Sequence, residues 1–251
     1  MTKKVRRSEN ITEDHQQLYE NFLKYLEITK SLRKINTNSS TPAFQGLNAT
    51  PLGLCSFALT TFVASMYLCG ISVPVDASIG VVMGAALFYG GATQLLAGYL
   101  SFREGNTFGA VAFCSYGGFW LSFGSIHIAA FNFLVGYKDE SILNNALGMF
   151  FLSWAIFTGL MTLSCLRTNF ITIGLFFSLF ICFVLLSSSK FAQNHRNLQR
   201  SSGAFGLVAA TFAWYSAFAH LLNKSDWFFK LPLFEVQRKQ SKETNNTMEQ
   251  A

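Results

Sequence analysis

At 251 residues, with 51% hydrophobic and 13% charged side chains, this chain carries about half the charge of an average soluble domain. The only acids between positions 49 and 222 are Asp76, Glu104, Asp139 and Glu140, so long uncharged runs exclude a soluble globular fold. The net charge of +6 lies mainly in the two tails, which excludes nucleic acid as its reason and marks a membrane orientation instead.

Residues 1–47 are polar and basic, with Lys3, Lys4, Arg6, Arg7, Lys24, Lys30, Arg33 and Lys34. Within them Leu18, Phe22, Leu23 and Leu26 recur at helical spacing. That reads as a short amphipathic helix on the membrane surface or a neighbouring subunit, or as a transient helix in a disordered tail. No apolar stretch of signal-peptide type precedes position 48. Asn36–Pro42 is rich in Asn, Ser and Thr and is expected to be loop.

The first membrane segment opens at Asn48-Ala49-Thr50-Pro51-Leu52-Gly53-Leu54. Asn48 or Thr50 is expected to cap a helix, and Pro51 suits its first position because no N–H is needed there. About 20 uncharged residues follow, enough to span roughly 30 Å of hydrocarbon. A helix N-terminus carries partial positive charge and N–H groups that suit an anion; the plainer reading is a cap that only satisfies backbone donors.

Six apolar segments are expected in all, at 51–72, 78–101, 107–135, 143–165, 170–188 and 202–222. This is an all-α, polytopic membrane fold in three regions. Residues 1–47 form an N-terminal tail, 48–222 a six-helix transmembrane bundle, and 223–251 a C-terminal tail. With six spans both tails share a side, and that side holds every Lys and Arg except Lys138, Lys190, Arg196 and Arg200. The bias puts both termini in the cytoplasm. Gly80 and Gly84 form GxxxG, and Gly90, Gly91, Gly98, Gly109, Gly117, Gly118 and Gly124 extend small-residue stripes along segments two and three. Such stripes permit close helix contact, which places these segments near the bundle centre or at contacts between subunits.

No Asp, Glu, Lys or Arg falls inside a span, so a carboxylate proton relay is absent and a path for an anion or neutral acid is allowed. The intramembrane polar residues include Gln94, Tyr116, His127 and His220. Gln94 is costly in hydrocarbon unless bonded, so it either braces a neighbouring helix or lines a pore. The five cysteines (Cys55, Cys69, Cys114, Cys165, Cys182) form no CxxC or Cys/His cluster, which suggests neither zinc nor a disulfide framework. No nucleophile–base pair, metal cluster or phosphate loop is visible, so neither an enzyme nor a cofactor is expected.

The opening heptapeptide resembles the NPAPLGL signature of the acetate uptake transporter family, also called GPR/FUN/YaaH. Phe88–Leu95, Gly105–Gly109, Ser115–Leu121 and Phe176–Leu179 look like family blocks in family order. The resemblance covers roughly residues 45–222, and the basic N-terminal tail looks like the fungal acetate/ammonia-export branch. The signature's first proline is Ala49 here and its alanine is Thr50, whereas Pro51 is kept. The resemblance implies a hexamer in the plasma membrane, each protomer with its own pore, narrowest at a Phe, a Tyr and a Leu. The matching positions are Phe57, Tyr116 and Leu179, with Asn48, Thr50, Pro51, Leu52, Gly53 and Gln94 in the vestibule. The implied cargo is acetate or a similar small acid moving with a proton, with ammonium or ammonia export as the alternative.

Overall fold

In the computed structural model, which describes residues 17, 19–31, 48–75, 77–222 and 231–235, Met1–Leu47 form one unit and Asn48–Ala251 another. In the first unit residues 19–31 are helical, overlapping the stretch Leu18–Leu26 where apolar spacing predicts a helix and running past it. The Asn36–Pro42 loop, the first basic cluster and most of the chain after Leu222 lie outside the described residues.

The second unit is helical. Among its described residues the long helices are α1 (Thr50–Cys69), α2 (Gly80–Arg103), α3 (Thr107–Ile126), α4 (Glu140–Cys165), α5 (Phe170–Phe191) and α6 (Arg196–Leu222). Short polar side chains start three of them. Asn106 Oδ1 accepts from Gly109 N at 2.9 Å, Asp139 Oδ1 from Ser141 N at 2.8 Å, and Asn169 Oδ1 from Thr172 N at 2.8 Å. Each satisfies a backbone donor that the first turn leaves without a helical partner. Gly70 stops α1 at Cys69 rather than at 72: its φ of 74° suits glycine, and Ile71 N turns back onto Met66 O.

Five of these helices, α1, α2, α4, α5 and α6, are long and apolar enough to cross a membrane. The third segment departs from expectation. Its helix ends at Ile126, a single 3-10 turn covers Ala129–Phe131, and Asn132 takes a left-handed φ of 58°. Phe131 and Phe133 then pair with each other, exposed, rather than continuing a span. The 20 residues of α3 match α1 in length, but their glycines, serines, Tyr116 and Trp120 lower its mean hydropathy. α6 instead begins earlier than expected, at Arg196.

α2 is interrupted. Ala85–Thr93 is π-helical, and Thr93 Oγ1 donates to Phe88 O five residues back. Gly90 lies in this stretch against Thr60 of α1, whose hydroxyl donates to Ala85 O at 3.4 Å. Wide turns of this kind inside helices are often found at functional sites.

Packing runs α3–α2–α1–α6–α5–α4 around the bundle. Small residues make the closest seam: Gly203 and Gly206 of α6 leave room only for Cys69 and Ser65 of α1. α1 thus lies between α2 and α6 in that order. α2 packs on α1 and α3 and leaves Val81, Phe88, Leu96, Tyr99 and Phe102 exposed, while Gly84 meets nothing within the protomer. Across the remaining side, α3 meets α4 and α5 through bulky rings. Phe119 contacts Phe150, Trp154 and Phe183, and Tyr116 contacts Phe157.

Candidate functional site

Two cavities open at opposite ends of the same helices. The tail-end cavity, near Thr50 and His220, holds about 210 Å³. The loop-end cavity, near Lys190 and Arg196, holds about 620 Å³. α1 contributes Thr50, Leu54 and Phe57 to the first, and Ala64, Tyr67 and Leu68 to the second. α3 contributes Phe108 to Tyr116 at one end and Phe119 to His127 at the other. α5 repeats the pattern with Thr172, Leu175 and Phe176 against Leu186 and Lys190.

Between the cavities the helices close on one another. Phe57, Tyr116 and Leu179 are 4%, 3% and 3% exposed and belong to one apolar cluster with Phe119, Phe176 and Phe183. The Phe57 and Tyr116 rings are 5.8 Å apart, and Leu179 lies on α5 in the interval that neither cavity reaches. Trp154, Phe157 and Phe176 complete an aromatic collar around Tyr116, with centroids 5.7 to 6.2 Å away. No charged side chain belongs to this cluster. An apolar waist of this kind dewets and resists ions.

The hydroxyl of Tyr116 is already engaged: it shares a hydrogen bond of 2.9 Å with Thr158 Oγ1 on α4. Thr158 is fully buried, and the sequence offers no signal for it, because a Thr in an apolar helix usually bonds its own backbone. That common arrangement holds instead for Thr162, which donates to Thr158 O at 2.7 Å.

The tail-end cavity has a feature that a single-helix view misses. The N-termini of α1, α3 and α5 all face it, through Thr50, through Asn106 and Gly109, and through Asn169 and Thr172. Three partial positive charges converge where one was expected. The α1 terminus itself is not open, however. Ala49 N donates to both oxygens of Glu104, at 2.9 and 3.2 Å, and Asn48 Oδ1 accepts from Thr50 N at 3.1 Å. The protein's own carboxylate thus occupies the first anion position at this terminus.

The signature residues separate accordingly. Thr50 and Gln94 line the cavity. Asn48 accepts the Thr50 backbone N–H beside it through its side-chain Oδ1. Pro51 is buried away from the wall, Leu52 is exposed, and Gly53 is buried where a side chain would strike the Phe113 ring. Gln94 is 1% exposed and its Oε1 has no hydrogen-bond partner. It does not brace a neighbouring helix through that oxygen, an acceptor on a residue of the cavity wall. His220 lines the same cavity, with Nδ1 2.7 Å from Ser216 O.

The loop-end cavity carries a donor in the same condition. Trp120 is 5% exposed, and its Nε1 has no partner. His127, Lys190 and Arg196 line the same space. Among the described residues no group of His, Cys, Asp or Glu could hold a metal ion.

Comparison with known proteins identifies the family and the overall fold. Residues 33–238 match the GPR1/FUN34/yaaH family. Two proteins of Saccharomyces cerevisiae are similar: Accumulation of dyads protein 2, 46% identical over 77% of this chain and 70% of its own length, and Ammonia transport outward protein 2, 42% identical over 78% and 68%. A solved structure of the bacterial acetate channel SatP superposes with a TM-score of 0.65 at 31% identity, covering 76% of this chain and 99% of that one.

Proposed function

We propose that this chain, which belongs to the GPR1/FUN34/yaaH family, carries acetate and similar small monocarboxylates across a membrane through a pore within the protomer. The observation that carries the reading is the closed waist of Phe57, Tyr116 and Leu179 between two cavities on shared helices. Its similarity to an acetate channel over nearly the whole of that protein supports the cargo. α3 serves as the sixth span: Asn106 lies level with Thr50 at the tail-end cavity, and His127 shares the loop-end cavity with Lys190.

The cargo crosses as the neutral acid. Stripping water from a carboxylate costs several kcal/mol, and an uncharged waist returns none of it. The neutral acid avoids this cost and offers its methyl group to Phe57 and Leu179. Its O–H then finds an acceptor at Gln94 Oε1 beyond the waist. Both termini lie in the cytoplasm and the loop-end cavity opens outward at the plasma membrane, as the Lys/Arg bias favours. Exposed rings on α2 beside the unfilled Gly84 give a face for a second copy, which suits a hexameric assembly.

Labelled acetate uptake into proteoliposomes rises as external pH falls on this account. A flat response from about pH 8 to 5, a range above an ordinary carboxyl pKa, contradicts it. A second reading, ammonium or ammonia export, draws on the relative named for outward ammonia transport and on the same unpartnered Gln94 acceptor. Methylammonium efflux without acetate uptake in the same vesicles would select it.

A further inference from the structure

We propose that the loop-end cavity is a carboxylate-loading site in which Trp120 Nε1–H binds the incoming carboxylate and His127 protonates it before it enters the waist. This rests on the acid transport proposed above.

Trp120, Phe123 and His127 are spaced to lie on one face of α3, and all three line the cavity. Their rings step along it, with centroids 6.2 Å apart for Trp120–Phe123 and 4.8 Å for Phe123–His127. An indole N–H can only donate, and a buried donor is normally paired. The Trp120 donor has no partner in the protein. An acceptor from the cavity is what it lacks, and a carboxylate oxygen supplies one.

The cavity also draws anions. Lys190 of α5 and Arg196 of α6 line it, with Lys190 Nζ held on Asn194 Oδ1 at 2.6 Å. Among the described residues Tyr67 of α1 is the other titratable side chain on the wall, and Glu140 at the start of α4 is the carboxylate that acts on Lys190. Among the described residues α2 contributes no titratable side chain to the wall.

His127 is set for proton transfer by its backbone. Its Nδ1 lies 2.9 Å from Phe123 O, and a carbonyl only accepts, so Nδ1 carries the hydrogen and Nε2 keeps the lone pair. Nε2 takes a proton from water at the loop end. It passes that proton to the bound carboxylate: the Nε2–H bond breaks, the carboxyl O–H bond forms, and the ring returns to neutral. His220 repeats the geometry in the tail-end cavity, with Nδ1 on Ser216 O, and its Nε2 receives the proton after crossing.

The test is the initial rate of labelled acetate uptake against external pH from about 4 to 8, in cells without other acetate carriers. Each profile is corrected for untransformed cells and normalised to its own rate at the acid end. In the parent the rate rises as external pH falls. His127→Gln moves the midpoint of that rise to lower pH, toward that of a free carboxyl. Trp120→Phe leaves the midpoint alone and raises KM roughly ten-fold, the loss of one hydrogen bond to a charged group. Superimposable midpoints for parent and His127→Gln overturn the loading site while leaving acetate transport in place. A fall in maximal rate alone in both variants marks the residues as structural and also overturns it. A parent that takes up no acetate at any pH removes the transport reading itself.

Discussion

Glu104 shows how far one side chain can reach in this bundle. It sits between α2 and α3, yet it closes the N-terminus of α1, 55 residues earlier, by accepting from Ala49 N. Ala49, standing where the signature it resembles has proline, makes this possible, because a proline there has no N–H to donate. Glu104→Gln keeps an acceptor but removes the charge that favours a helix N-terminus. It is expected to lower stability by about 1 kcal/mol, read as a drop of a few degrees in the thermal midpoint in detergent. Tyr116 and Thr158 form a second long-range pair. Tyr116→Phe leaves Thr158 Oγ1 buried without its partner, and is expected to weaken acetate uptake or relax its selectivity. Cys69→Ala, at the α1–α6 seam away from both cavities, leaves uptake unchanged. Equal effects from the two substitutions contradict the role given to Tyr116. Neither long-range pair was legible in the sequence: each depends on which helices become neighbours, and local spacing does not carry that information. The residues Phe57, Tyr116 and Leu179 were legible only through the family resemblance. Gln94 stood out in the sequence from the cost of an amide in hydrocarbon, either as a brace between helices or as a pore-lining residue.

The helices themselves were the most readable part. A bilayer demands about 20 apolar residues per crossing, and that demand leaves a mark in any sequence. Asn and Asp at the starts of α3, α4 and α5 fall in the short polar links between apolar runs. Two features escaped. The π-helical stretch of α2 carries Gly90 against Thr60 of another helix, a neighbour that local propensity does not announce. The end of α3 at Ile126 is hidden because Ile128, Phe131, Phe133, Leu134 and Val135 keep the run apolar although the backbone has left the helix. The seams are testable by volume. At Gly206 an added Cβ would collide with Ser65, whereas at Gly84 it meets nothing. Gly206→Val is expected to abolish stable folding, seen as lost monodisperse protein. Gly84→Val folds, and it lowers the oligomer mass in native mass spectrometry if that face joins copies. The reverse order contradicts the helix arrangement.

At the scale of the molecule, the bundle separates two tasks. Its ends suit an anion, through the N-termini of α3 and α5 at one cavity and Lys190 and Arg196 at the other. Its middle excludes charge, through rings and alkyl groups. A weak acid satisfies both because it changes its charge state, whereas a permanent ion does not. The up-and-down topology brings the N-termini of α1, α3 and α5 to one side. The sequence implied that topology once the spans were counted, but only the packing order showed that they converge on one cavity. The most direct measurement is acetate flux through reconstituted protein at fixed pH while the membrane potential is clamped. A charge crossing the full field gains or loses about 2.3 kcal/mol per 100 mV, so an anion's inward flux changes many-fold when the interior is made negative. Neutral-acid passage predicts no change in acetate flux between zero and about −100 mV. A flux that falls steeply with inside-negative potential means that the ion itself passes the waist, and contradicts the account.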